Sequence, residues 1–406
     1  DEMQKYEKEF VRMGNELNDV EFTVDQLVTS KDQIEAIAGQ IKEADGLLLI
    51  HLAMGISEEL GVLLGFEKPT VLFAAPYSGH EWAHFGELLK QKEGELLECF
   101  LTSDTHQIVE GIRPFRAIHH LREAKVLNIT ARDMPADFLQ AVKEKYGTEF
   151  MAIDLKRLMD TYNSIPEEAA KEETQRWIAE AEKVVEPSED EIFRSCKQAL
   201  AFEKLLEEEN ATVITADCYG TMYHQMPAFP CIGFTRLNDM GLGGICESDL
   251  RCAMTHILLQ GLSGKPGFIS DPTFDTSTNS IILAHCLGST RMDGPNGKRA
   301  PYRLRTIMER QEGAVPQVRM KIGERVTQAI LPQVDQLLYF TGDIIDTPQT
   351  ERGCRTKITV QVDGEAEKLW QNWTNGLHRV TCYGDLTKDM KRFCRFKKVQ
   401  FVSELA

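Results

Sequence analysis

The sequence predicts an α/β protein: two doubly wound parallel-sheet units of the Rossmann or flavodoxin kind, then a mostly antiparallel β-barrel domain with a terminal helix or tail. Three observations carry this expectation. Continuous apolar runs such as DGLLLIH (45–51), PTVLFAA (69–75) and TVITAD (212–217) alternate with helical stretches, as parallel strands buried on both faces do. After Pro272 the texture changes, and SIILAHC and RTKITVQVDG alternate apolar with polar residues between Gly and Pro, the period of antiparallel strands. The length of 406 residues accommodates roughly three domains of about 150 residues. The expected divisions are 1–122, 123–270 and 271–406.

In the first unit, residues 2–17 place Tyr6, Phe10, Val11, Met13 and Leu17 at helical spacing. Val20–Phe22 reads as a short strand, Asp32–Ala44 as a helix, 45–51 as a strand, Ser57–Leu64 as a helix and 69–75 as a strand. A helix over Glu81–Lys90 follows the run PYSGHEWAHF, which begins at a strand's carboxyl end, where open α/β sheets bind ligands. The opening on a helix leads us to expect residues upstream of Asp1, including a first strand.

The second unit reads as strand 126–130, helix Pro135–Tyr146, strand 149–155, charged helices near 166–185 and 188–209, and strand 212–217. Pro227–Phe234 reads as a connection before the helix that follows Glu247. The charged helices present solvated faces or a partner surface. In the third unit, Val318, Met320 and Ile322 share one face of a strand, as do Ile358, Val360 and Val362. The end is a Trp-rich segment and a basic tail with six Lys/Arg between 388 and 398. Its expected partners are the chain's own acidic helices or a neighbouring subunit, with an external anionic partner as the alternative.

The formal charge of −17 argues against nucleic acid, because phosphate binding needs a basic face. No apolar run approaches the ~20 residues of a membrane span, and the longest, Gly46–Met54, is interrupted by His51. The ten cysteines are scattered without a C-x-x-C pair, which favours reduced thiols in a cytoplasmic protein.

The chemistry concentrates between Cys246 and Cys286. Glu247 stands at the mouth of a helix with Ser248 as N-cap. Asp271 stands at the end of a strand Gly267–Ser270 that Pro272 stops. His285 ends the strand SIILA, and His378 begins another. Each has a plain structural reading too: a capping carboxylate, a turn-initiating aspartate, satisfied histidines. Together, carboxylates and imidazoles suit Mn²⁺ or another divalent ion such as Mg²⁺ or Co²⁺. Cys246 and Cys286 read as packing residues. GLGGIC (241–246) is neither a dinucleotide nor a Walker loop.

The run ESDLRCAMTHILLQGLSGKPGFISD (247–271) resembles L-fucose isomerase, in which a Glu opens a helix and an Asp lies 24 residues on; here 271 − 247 = 24. ILAHC and GLHRVTCYGD resemble histidine-bearing strands of the wider L-fucose/L-arabinose isomerase group. The resemblance covers about 240–290 and 375–385, and elsewhere only the order of elements. It implies a Mn²⁺-dependent aldose–ketose isomerase, a trimer or hexamer. It carries Glu247 and Asp271 over as catalytic residues and as metal ligands with His378. His285 carries over from the arabinose-like pattern. The chain is shorter than L-fucose isomerases, and PYSGHEWAHF and GSTRMDGPNGKRAPYR match no sugar-specificity motif, which leaves the sugar open.

Such an isomerase moves one proton between C1 and C2 and another between O1 and O2. Glu247 and Asp271 are expected to shuttle these protons. Expected substrate contacts are His80, Glu81 and Trp82, then Arg291 and Trp373; local packing is the alternative for each. Arg291, Lys298, Arg299, Arg303 and Arg305 are placed to grip a uronate, phosphate or sulfonate, or to line a subunit interface. The alternatives to an isomerase are an epimerase or aldolase-like lyase on the same scaffold, or a sugar-binding relic without activity.

Overall fold

The computed structural model describes residues 2–17 and 19–406. The chain divides into two compact units. One comprises 1–119 with 388–399, the other 120–387 with 400–406.

In the first unit, β1 (Leu47–His51), β2 (Thr70–Ala74) and β3 (Leu97–Leu101) form a parallel sheet in that order. Alternation along β2 sends Val71 and Phe73 to one face and Leu72 and Ala74 to the other. The first face is covered by Tyr6 and Met13 of the opening helix, by Ile108 and Ile112 of the helix His106–Glu123, and by Phe396. The second is covered by Leu60 and Leu64 and by Phe85 and Leu88. Val20–Phe22 is not a strand; it has no neighbouring strand to pair with, and Phe22 instead packs on Phe10 at 5.0 Å. The expected helix 32–44 breaks at Ile37 into Lys31–Ala36 and Ala38–Glu43. The basic tail forms the helix Thr387–Lys397, and its basic residues pair not with the acidic helices but with carboxylates at β3: Arg392 and Arg395 with Glu98, and Lys398 with Glu95.

In the second unit, β4 (Lys125–Ile129), β5 (Glu149–Ile153), the two-residue β6 (Lys183–Val184), β7 (Val213–Ala216) and β8 (Gly243–Cys246) follow one another. Four of them form a parallel sheet in the order β5-β4-β7-β8. Strand order reverses between β4 and β7, which opens a crevice at the carboxyl ends there. The charged helices are present as Glu167–Glu180 and Glu189–Glu208. The second opens with a capping box between Ser188 and Glu191. Residues 231–234, the end of the expected connection, instead begin the helix Cys231–Asp239.

The barrel strands are β9 (Phe268–Asp275), β10 (Ser280–His285), β13 (Arg325–Gln333), β14 (Gln336–Asp346), β15 (Thr356–Val362) and β16 (Arg379–Tyr383). Between them, β11 (Tyr302–Arg305) and β12 (Val315–Val318) form a side sheet with β6. The order β13-β16-β9-β10-β15-β14 closes through a β13–β14 pairing, and β17 (Gln400–Ser403) adds parallel to β14. Ile358, Val360 and Val362 face the core with Phe268, Ile281, Leu283 and Phe340. Each such side chain contributes about 1.5–3 kcal/mol on burial. Ile322 does not join Val318 and Met320 inside: β12 ends at Val318, and Ile322 is exposed. Among the described residues no helix is long and apolar enough to cross a membrane.

Arg379 on β16 is fully buried, with its guanidinium forked onto Glu404 at 2.9 and 3.3 Å and its plane 4.3 Å from the Trp373 ring. Removing one member of a buried pair strands the other charge. Glu404→Ala is therefore expected to lower stability by about 3–5 kcal/mol, read from urea midpoints. A change near zero would show that the pair does not hold the barrel end.

Candidate metal centre

Glu247 leaves the end of β8 through a turn that the sequence does not advertise. Glu247 and Ser248 both take left-handed backbone angles, φ 62° and 53°, an uncommon state for residues with a Cβ. The turn is pinned to the sheet. The Ser248 amide donates to Ala216 O at 3.0 Å, and its hydroxyl donates to Asn128 Oδ1 at 2.6 Å. Ser248 is thereby consumed, and the N-cap of the helix Leu250–Ser263 is Asp249, whose Oδ1 accepts from the Cys252 amide at 2.9 Å.

Strand register in the barrel brings up the other three groups. Asp271 lies opposite Ala284, one residue from His285. Ser270 lies opposite Arg379, one residue from His378. Asp271 is not at a strand end, because β9 runs on to Asp275 through Pro272. β16 pairs with β9 only as far as Ser270, so beyond it that side is an edge, where proline is tolerated.

Glu247 approaches His285 Nε2 at 3.6 Å and His378 Nε2 at 3.7 Å, and His378 Nε2 lies 3.3 Å from Asp271 Oδ1. Ligand atoms of Glu247, His285 and His378 fall within 4.8 Å of one another. Asp271 Oδ1, both ring nitrogens of His285 and His378 Nε2 are buried without a hydrogen-bond partner. Such atoms cost free energy unless something meets them. His378 Nδ1 lies 3.0 Å from Asp249 Oδ2. With the proton on Nδ1 and directed at that carboxylate, the Nε2 lone pair faces Glu247 and Asp271, as in carboxylate–histidine–metal arrangements. Two carboxylates and two imidazoles fit a divalent ion of the Mn²⁺, Mg²⁺ or Co²⁺ kind.

The electrostatics follow from this crowding. Burial raises the Glu247 pKa, His378 opposes it, and Asp271 and Asp249 add to it. Burial also pushes Asp271 up, but neighbouring His378 and His285 outweigh it, and the net direction is down. Burial and the charge of His378 lower His285 to about 4. Burial opposes protonation of His378 too, yet Asp249 and Asp271 raise it to about 10.

The chain is similar to sulfoquinovose isomerases. It is 22% identical over 308 residues, 69% of its length, to that of Alkalicoccus urumqiensis. It is likewise 22% identical over 308 residues, 70% of its length, to that of Clostridium sp. (strain MSTE9). The match spans 66% of each relative, just under two thirds. No family model matches the chain. The relatives carry an isomerase name, though not that of L-fucose isomerase.

The expected substrate contacts are not part of this cluster. Arg291 donates to Pro295 O and Gly297 O, at 2.6 and 3.2 Å, and so braces its own loop. Trp373 donates to Leu377 O and packs against the barrel core. The other arginines of that region are ion-paired: Arg299 with Glu180, Arg303 with Glu182, Arg305 with Glu186 and Glu351. His80, Glu81 and Trp82 belong to the first unit. There His51 Nε2 meets Glu81 at 2.7 Å, Trp82 packs against the Leu60–Phe85 cluster, and His80 stands edge-on to Trp82. Sequence reasoning missed Asp249 and Asn128. The signal for Asp249 was available, since an Asp three residues before Cys252 is a strong N-cap.

In the metal-free protein, folded His378 keeps its proton to about 10, against 6.5 ordinarily. Its stabilising contribution is therefore complete below about 6.5 and is lost as pH rises toward 10. The stability advantage of wild type over His378→Gln should shrink across that window in denaturant titrations without metal. A pH-independent difference would contradict the charged contact.

Proposed function

We propose that this chain is a metal-dependent aldose–ketose isomerase and that its substrate is a sulfonated aldose of the sulfoquinovose kind. The observation that carries the reaction class is the convergence of Glu247, Asp271, His285 and His378 with unpartnered buried nitrogen and oxygen atoms, one imidazole being held by Asp249. The sulfonated substrate rests on the names of the relatives, and the isomerase class on both.

A bound divalent ion would supply Lewis-acid stabilisation of the enediolate oxygens. Glu247, Asp271, His285 and His378 would hold it. The chain's own work is proton transfer. A carboxylate takes the proton from C2 of the aldose, a proton passes from O2 to O1, and the carboxylate returns a proton to C1. Glu247 is the better shuttle, because burial favours its protonated form. Asp271, held down by its histidines, stays ionised and keeps His378 in place. Asn128 and Ala216 fix the turn that aims Glu247.

A screen of sulfonated, neutral and deoxy aldoses with Mn²⁺ present tests the proposal. Turnover should be highest on sulfoquinovose and should leave solvent deuterium at the carbon that gains a proton. Glu247→Gln and Asp271→Asn should each lose at least about 10²-fold in kcat, the lower bound for a proton-transfer group. Full activity in both variants would remove these residues from the mechanism.

Asp249→Asn isolates the supporting contact. The amide still caps the helix, but it can donate to His378 Nδ1 and push the ring proton onto Nε2. Metal affinity should fall about 10–100-fold with unchanged far-UV circular dichroism. Unaltered Mn²⁺ binding would show that Asp249 serves the helix alone.

A further inference from the structure

A second cluster of ligand atoms stands apart from the first. Cys286, Glu309 and Cys354 bring their sulfur and carboxylate atoms within 4.8 Å of one another. The fold explains the meeting. His285 at the end of β10 pairs with Thr356 at the start of β15, so the residues just beyond, Cys286 and the 354–355 segment, are brought side by side. Glu309 arrives from the loop between β11 and β12. Cys286 follows in the bend just beyond β10, and its group shares no member with the group of Glu247, His285 and His378.

The spacing suits a tetrahedral ion. Bonds of about 2.3 Å to sulfur and about 2.0 Å to a carboxylate oxygen, at a tetrahedral angle, set sulfur and oxygen about 3.5 Å apart. Cys354 Sγ lies 3.6 Å from Glu309 Oε1. The second oxygen of Glu309 accepts from the Tyr219 hydroxyl at 3.4 Å, the outer contact that ligating carboxylates commonly have. Cys286 is buried, Cys354 partly exposed and Glu309 exposed, and neither cysteine is in a disulfide. One side of the cluster is therefore open for an ion to enter and for a fourth ligand from solvent.

We propose that Cys286, Cys354 and Glu309 form a second metal site, selective for a thiophilic divalent ion of the Zn²⁺ class and distinct from the harder carboxylate–imidazole centre. Two thiolates favour Zn²⁺ over Mn²⁺ or Mg²⁺. Binding displaces the thiol protons to solvent, so the ion replaces two S–H groups with two metal–sulfur bonds. A filled site would tie the start of β15 to the end of β10 and to the 306–314 loop.

Co²⁺ is the probe, because a thiolate-to-cobalt charge-transfer band in the near ultraviolet reports sulfur ligands, which the other centre lacks. The reduced full-length chain titrated with Co²⁺ should develop this band, and Zn²⁺ should abolish it while Mg²⁺ does not. Cys354→Ala should abolish it, and Glu309→Gln should weaken Co²⁺ binding at least about 10-fold. Both positions lie toward the surface, so the variants should fold, and Cys99→Ser in the first unit should leave the band unchanged. Absence of the band in the reduced wild type, or its persistence in Cys354→Ala, overturns the proposal. The readout needs no turnover, so its failure leaves the isomerase reading untouched.

Discussion

Asp249 carries two obligations on one carboxylate, and the candidate centre depends on both. Its Oδ1 closes the first turn of the helix Leu250–Ser263, and its Oδ2 stands 3.0 Å from His378 Nδ1. The helix starts at the carboxyl end of a parallel sheet, and the histidine opens a barrel strand. One side chain thus sets the position of an α/β element against a β element within the same compact unit. It also fixes which nitrogen of His378 is free to bind. The arrangement needs Glu247 and Ser248 in left-handed backbone states, each costing on the order of 1–3 kcal/mol. That cost is offset by the bonds of Ser248 to Ala216 and Asn128, so the strain lies where the surrounding sheet over-determines it.

The other members of the centre are positioned by register. Asp271 and His285 lie on the adjacent strands β9 and β10, and His378 stands one residue before β16, which pairs with β9 on its other side. A slip of one residue in any of these pairings would turn a ligand from one barrel face to the other. Closure resists such a slip, because each strand is paired on both sides, and the fully buried Arg379–Glu404 pair beside His378 adds a polar lock.

Much of this was legible in the sequence. Continuous apolar runs identified β1, β2, β4, β5 and β7, and period-two alternation identified β10 and β15. The carboxylates and histidines stood out because each sits near the end of an apolar run. What stayed hidden depends on contacts between segments far apart in the chain. β8 contains glycines against which Val213 and Phe234 pack closely, so its signal is weak. The helix Cys231–Asp239 begins after a proline-rich stretch that reads as loop. The N-cap was misplaced by one residue because the left-handed turn at Glu247 and Ser248 is held by Asn128 and Ala216, both more than 30 positions away. The carboxylates that pair with the arginine-rich loop, Glu180, Glu182 and Glu186, come to it from a distant stretch of chain.

The sequence AHC at 284–286 shows how one strand end can serve two chemistries. His285, the last residue of β10, groups with Glu247 and His378, and Cys286, in the bend just beyond, groups with Cys354 and Glu309. Carboxylates and imidazoles make a hard to borderline donor set, and thiolates a soft one. Mixing them on one face would let a thiophilic ion outcompete the ion that an enediolate reaction needs. The two ligand groups share no member, so Cys286 and its sulfur partner stay out of the group that holds Glu247. The separation of the two donor groups is therefore a condition for the proposed chemistry at Glu247, whether or not an ion fills the second cluster.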